Sequence, residues 1–103
     1  HIGGDDFFVG LKNHSFKEVY QLSENIQKDF KNSVKNIYSK TDKENGYLIA
    51  KDRFDIERKF DLLTVSSAII EINRKSDVSN FDAIISSLKK SSKKSKSPVS
   101  VTL

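Results

Sequence analysis

A chain of 103 residues, 36% of them hydrophobic, has room for one small domain around a single core and is too short for two. It has no cysteine, which excludes disulfides and thiolate metal sites, and no apolar run near the ~20 residues of a spanning helix, so a soluble, cytoplasmic segment is expected. The net charge of +4, from 18 Lys and Arg against 14 Asp and Glu, favours anionic ligands without by itself indicating nucleic acid.

The first element carries the chemistry. The chain opens His1-Ile2-Gly3-Gly4-Asp5-Asp6-Phe7-Phe8-Val9, with Leu11 following, so two glycines and two acids sit in a turn that feeds a predicted strand over residues 6–12. Glycine lets a backbone approach a ligand closely, and two adjacent carboxylates suit Mg²⁺, a hard cation held by one or two carboxylates plus substrate phosphates. The same residues are also ordinary turn punctuation, in which an aspartate bonds only its own backbone.

Ser15-Phe16-Lys17-Glu18 has the form of a capping box, and it predicts a long helix running to about Ser39. Phe16, Val19, Tyr20, Ile26, Phe30, Val34 and Ile37 recur near a period of 3.6 and are expected to pack in the core. The polar residues 40–46 end the helix. A hairpin is expected next, with Tyr47-Leu48-Ile49-Ala50 and Lys59-Phe60-Asp61-Leu62 flanking the turn Asp52-Arg53-Phe54-Asp55, which lacks the usual glycine. Residues 62–72 are rich in β-branched side chains and suit a central strand covered on both faces.

Ser79-Asn80-Phe81-Asp82 has the spacing of a second capping box, followed by the apolar stripe Phe81, Ile84, Ile85 and Leu88. The helix starting there ends in Lys89-Lys90-Ser91-Ser92-Lys93-Lys94-Ser95-Lys96-Ser97, with Pro98 stopping it before a short strand over 99–103. Lysines at a helix C-terminus complement its dipole, and the run has no interleaved aromatics for base stacking. It is therefore expected to be a solvated face rather than a nucleic-acid patch, although one of its lysines could reach a phosphate.

The opening His1-Ile2-Gly3-Gly4-Asp5-Asp6-Phe7-Phe8-Val9 resembles the signature of GGDEF domains, the diguanylate cyclases that join two GTP molecules into cyclic di-GMP. Gly46-Tyr47-Leu48-Ile49, Asp52-Arg53, Phe60 and Leu63-Thr64-Val65-Ser66 follow in the order of a GGDEF subgroup with an inserted hairpin. Leu88-Lys89-Lys90-Ser91-Ser92-Lys93 resembles the helix whose Ala-Lys element closes the family's domain. The resemblance implies an α/β (α+β) fold: the C-terminal part of a nucleotide-cyclase or palm-like antiparallel sheet with helices packed on it, whose N-terminal strand and helices lie upstream of His1.

By the same resemblance, Gly3 and Gly4 would lie against bound GTP. Asp5 would ligate Mg²⁺ or Mn²⁺ and help activate the attacking 3′-hydroxyl, Asp6 would complete the acidic turn, and Lys93 would contact the triphosphate. Each such domain supplies one GTP, so a second GGDEF domain is the implied partner, as a homodimer. No nucleic acid and no direct membrane contact is expected of this segment, although the parent protein could be membrane-tethered. The second metal-binding aspartate and the guanine-contacting helices would lie upstream, so these residues alone are expected to be inactive.

Two departures motivate a different reading. Asp6 stands where the family usually has glutamate, and Ser97 where it often has an arginine, as in a degenerate module that binds a nucleotide or a protein partner without catalysis. The palm domain of CRISPR effector subunits also carries Gly-Gly-Asp-Asp and polymerises ATP into cyclic oligoadenylate. The capped helix directly after the first strand and the 46–66 segment favour GGDEF.

Overall fold

Ser15 starts the first helix as its sequence dictates. Its hydroxyl accepts from the Glu18 backbone N–H at 3.2 Å, and the Glu18 carboxylate accepts from the Ser15 backbone N–H at 3.4 Å, so two free amides of the first turn are satisfied reciprocally. A computed structural model describes residues 5–103, and in it this helix, α1, spans Phe16–Val34. His1, Ile2, Gly3 and Gly4 lie outside the described residues.

The continuation to Ser39 is not helical throughout. A single 3₁₀ turn, Lys35–Ile37, follows α1, and a second helix, α2, occupies Lys40–Asn45, where the sequence suggested only a polar connection. Its signals are local: the Ser39 hydroxyl accepts from the Asp42 N–H at 3.1 Å, and Gly46 ends it in the left-handed region at φ 77°, donating to the Asp42 carbonyl at 2.9 Å.

The expected hairpin is present. Strands β1 (Tyr47–Lys51) and β2 (Glu57–Asp61) pair antiparallel, with Tyr47 opposite Asp61 and Lys51 opposite Glu57. Asp52 organises the glycine-free turn. Its carboxylate accepts from the Phe54 and Ile56 backbone N–H groups at 2.8 and 3.1 Å and from the Arg58 guanidinium, while Asp55 takes the left-handed conformation, φ 61°, that a glycine would otherwise supply.

The predicted central strand is shorter and less central. Only Ala68–Glu71, β3, is extended and paired, and it lies parallel to β4, Val99–Thr102, with Ile69 opposite Ser100. Residues 62–67 stay irregular because their backbone bonds elsewhere: the Leu63 N–H donates to the Tyr38 hydroxyl at 2.8 Å, and the Gln27 amide donates to the Val65 carbonyl at 3.5 Å. Helix α3, Phe81–Lys93, joins β3 to β4 and packs on both, which makes a βαβ unit; α1 packs against β3 as well.

The second capping box is not formed. Asn80 is the N-cap of α3 without a side-chain bond, and Ser79 is engaged instead by Asp77, whose carboxylate accepts from the Ser79 N–H at 2.9 Å and its hydroxyl at 2.7 Å. Nor do residues 6–12 form a strand: Asp6 makes a single-residue bridge and residues 7–11 are irregular.

The architecture is thus mixed α and β, with three α-helices and two separate two-stranded sheets among the described residues, one antiparallel and one parallel. The expected antiparallel pairing is confined to β1 and β2, while β3 and β4 pair parallel. The α1 stripe is also less buried than its periodicity implied, with Phe16 and Phe30 at the margin and Ile26 and Ile37 exposed. A helix of 19 residues is about 28 Å long, and a sheet two strands wide, about 5 Å between strands, cannot cover it. Ile69, on the strand β3 that packs against both α1 and α3, is the single buried large aliphatic among the described residues.

Candidate functional site

The acidic turn and the lysine-rich end of α3, 83 residues apart in sequence, meet. The Lys89 Nζ lies 2.6 Å from Asp6 Oδ2, a charge-assisted hydrogen bond between two half-exposed side chains. Asp5 lies on the turn just before and is exposed.

Helix α3 supplies the cation because its register is fixed by burial. Phe81, Ile84, Ile85 and Leu88 are all half-buried toward the sheet, and Ser92, one turn beyond Leu88, is buried with its hydroxyl donating to the Lys89 carbonyl at 2.8 Å. Lys89 directly follows the last residue of that stripe, so it leaves the helix at the border of the packed face. Lys93 is one turn further on, at the C-terminal end of α3, and is exposed.

By resemblance Lys93 is the phosphate contact, but it is Lys89 that reaches the acidic turn. The usable signal was adjacency to Leu88, the end of the apolar stripe. Of the other assigned positions, Asp5 and Asp6 are together on the turn, and Gly3 and Gly4 lie outside the described residues.

Asp5 and Asp6 offer the hard oxygen donors that Mg²⁺ or Mn²⁺ prefers, and no group of three or more His, Cys, Asp or Glu that could hold a metal occurs among the described residues. One Asp6 oxygen already faces an ammonium, and a cation binding there would have to displace it.

Two clefts flank α1 instead, one of about 150 Å³ lined by Leu11, His14, Glu18, Val19 and Leu22, the other by Lys17, Glu18, Gln21, Leu22 and Asn25. Neither is lined by Asp5, Asp6, Lys89 or Lys93. The Glu18 carboxyl is held below its usual range by the Ser15 hydroxyl first, then by the Ser15 backbone amide and His14. Those contacts serve the helix cap, which accounts for the shift without invoking a ligand.

No helix among the described residues is long and apolar enough to cross a membrane. No family model matches the chain, and comparison with curated proteins and with solved structures yields no match.

Proposed function

We propose that this chain is part of a GGDEF-like nucleotide-signalling domain whose intact form binds GTP with Mg²⁺ or Mn²⁺ and condenses two GTP into cyclic di-GMP. The observation that supports this reading is the 2.6 Å pairing of Asp6 with Lys89, which gathers carboxylates and an ammonium at one place from opposite ends of the sequence. Attack of a 3′-hydroxyl on an α-phosphate needs a carboxylate to assist deprotonation and positive charge to stabilise the phosphate oxygens.

In this reading the Asp5 carboxylate would hold the metal, which would supply Lewis-acid activation of the phosphate. Asp6 orients Lys89 in the absence of nucleotide. Lys89 and Lys93, on adjacent turns of α3, would then serve the triphosphate, and the signature glycines Gly3 and Gly4 would let the protein backbone approach it. Two copies must face one another to make product, because each contributes a single GTP.

Calorimetric titration of the intact protein with GTP and ATP in the presence of Mg²⁺ tests the site. GTP binding that Asp5→Asn and Lys89→Gln each weaken by tenfold or more is the expected result, and no binding of either nucleotide would refute the proposal. Preference for ATP would point to the cyclic-oligoadenylate palm instead. A second reading, a non-catalytic regulatory module, is favoured by Asp6 in place of glutamate and by Ser97 in place of arginine. Binding by the intact protein without formation of cyclic di-GMP would select it.

A further inference from the structure

All of the chain's excess positive charge is concentrated at one place. Residues 83–103 carry five lysines and no acidic residue, so the preceding 82 residues hold 13 basic against 14 acidic side chains. Lys89 is neutralised by Asp6, whereas Lys90, Lys93, Lys94 and Lys96 are exposed and pair with no carboxylate among the described residues. On a helix turning about 100° per residue, Lys89, Lys93, Lys90 and Lys94 span an arc of roughly 140° on the side of α3 away from the sheet. The loop that carries Lys96 is itself ordered: the Ser95 hydroxyl donates to the Ser97 carbonyl at 2.8 Å and accepts from the Ser97 N–H at 3.2 Å, and Pro98 is buried.

From this arrangement we propose that the surface formed by Lys90, Lys93, Lys94 and Lys96 binds the phosphodiester backbone of a nucleic acid, without reading its bases. No arginine occurs after Arg74, so no planar fork is present to grip guanine edges bidentately, and the four ammoniums are point charges of the kind that contact backbone phosphates one at a time. The serines at 91, 95 and 97 interleave hydroxyl groups with the lysines.

A lipid surface is disfavoured because the apolar side of α3 faces β3 and β4 and cannot enter a bilayer interface. The absence of any aromatic after Phe81 excludes base stacking, which was the ground for expecting a solvated face, but it leaves backbone contact open.

The test is fluorescence anisotropy of a labelled 20-base-pair duplex of random sequence titrated with the full chain between 50 and 200 mM salt. Four phosphate contacts give a slope of log affinity against log salt of roughly −3.6. The triple variant Lys90→Gln, Lys94→Gln, Lys96→Gln leaves Lys89 and Lys93 in place and is expected to reduce that slope by about 3, while the same positions changed to arginine retain binding. A control with the same loss of charge on α1 and its C-cap, Lys17→Gln, Lys31→Gln, Lys35→Gln, should leave binding within twofold. Circular dichroism verifies that each variant is folded. No duplex binding at 50 mM salt, equal loss in the α1 control, or binding only to vesicles containing anionic lipid would each overturn the proposal. None of these outcomes depends on whether GTP binds.

Discussion

Asp52 shows how one side chain can replace a turn motif. Four donors converge on it and its backbone, and the Arg58 guanidinium, ahead of the Ile56 and Phe54 amides, holds its carboxyl below the usual range against the opposing effect of desolvation. A carboxylate whose folded-state pKa is lowered stabilises the fold above its unfolded value, near 3.8, and that contribution is lost as pH falls through the lower, folded value. Asp77, held down by the Ser79 amide and hydroxyl, and Glu18 act in the same direction. Thermal melts should therefore be level above about pH 5 and decline below it. Asp52→Asn should lower the melting temperature at pH 7 and flatten that acid decline, and a decline as steep as in the parent would show that other carboxylates dominate. The Asp6–Lys89 pair is different: both partners are about half exposed, so Lys89→Gln should change stability by less than about 1 kcal/mol in a denaturant titration while affecting nucleotide affinity far more.

Among the elements, α2 and the hairpin form a locally determined unit. Ser39 caps the helix, Gly46 ends it, and Tyr47 begins β1 at the next residue. A Cβ at Gly46 meets nothing within 4 Å, so any penalty comes from the backbone conformation alone. Gly46→Ala should cost roughly 1 kcal/mol in chemical denaturation, whereas Gly46→Asn, which tolerates the left-handed region, should cost less. Equal losses for the two would mean that glycine is needed there for some reason other than φ. The outer edge of β2 reads Glu57-Arg58-Lys59-Phe60-Asp61, and its alternating charges discourage a further strand from pairing there. The Lys59 ammonium also sits 3.9 Å from the centre of the Tyr47 ring, tying the two strands across their faces.

At the scale of the whole molecule, burial is sparse. The Cα radius of gyration is 16.8 Å, against about 13 Å for a compact domain of 100 residues, and the molecule extends 51 × 29 × 21 Å. With Ile69 as the single buried large aliphatic among the described residues, the contact of β3 with α1 and α3 has little redundancy. Ile69→Ala should cost about 2–4 kcal/mol and leave the chain largely unfolded at 37 °C by circular dichroism, whereas Ile49→Ala, on the exposed hairpin face, should be tolerated. Large apolar side chains such as Phe7, Phe8, Val9, Leu63 and Val78 remain exposed. A soluble monomer rarely shows so many, and light scattering is expected to return the mass of a dimer at micromolar concentration. A monodisperse monomer under those conditions would contradict the homodimer proposed above.

What could be read directly from the residues was local. The Ser15–Glu18 capping box and the hairpin around Asp52 are each fixed by side chains within a few positions of one another and form where expected, while α3 still begins near Asn80 without its expected capping box and the strand after Pro98 forms by pairing with β3. Whether an apolar segment finds a covering partner is a long-range matter, and there the sequence misled. Residues 6–12 and 62–67 have strand-like composition, yet β3 pairs with β4 alone in its sheet, and the 62–67 backbone bonds to Tyr38 and Gln27 instead. The site divides in the same way. The acids were legible as a pair of carboxylates behind glycines, but the choice of Lys89 over Lys93 as the cation facing Asp6 followed from the rotation of α3 on its sheet. That rotation is set by which side chains the sheet buries; the apolar stripe ending at Leu88 points to it, but only the packed fold brings Asp6 alongside Lys89.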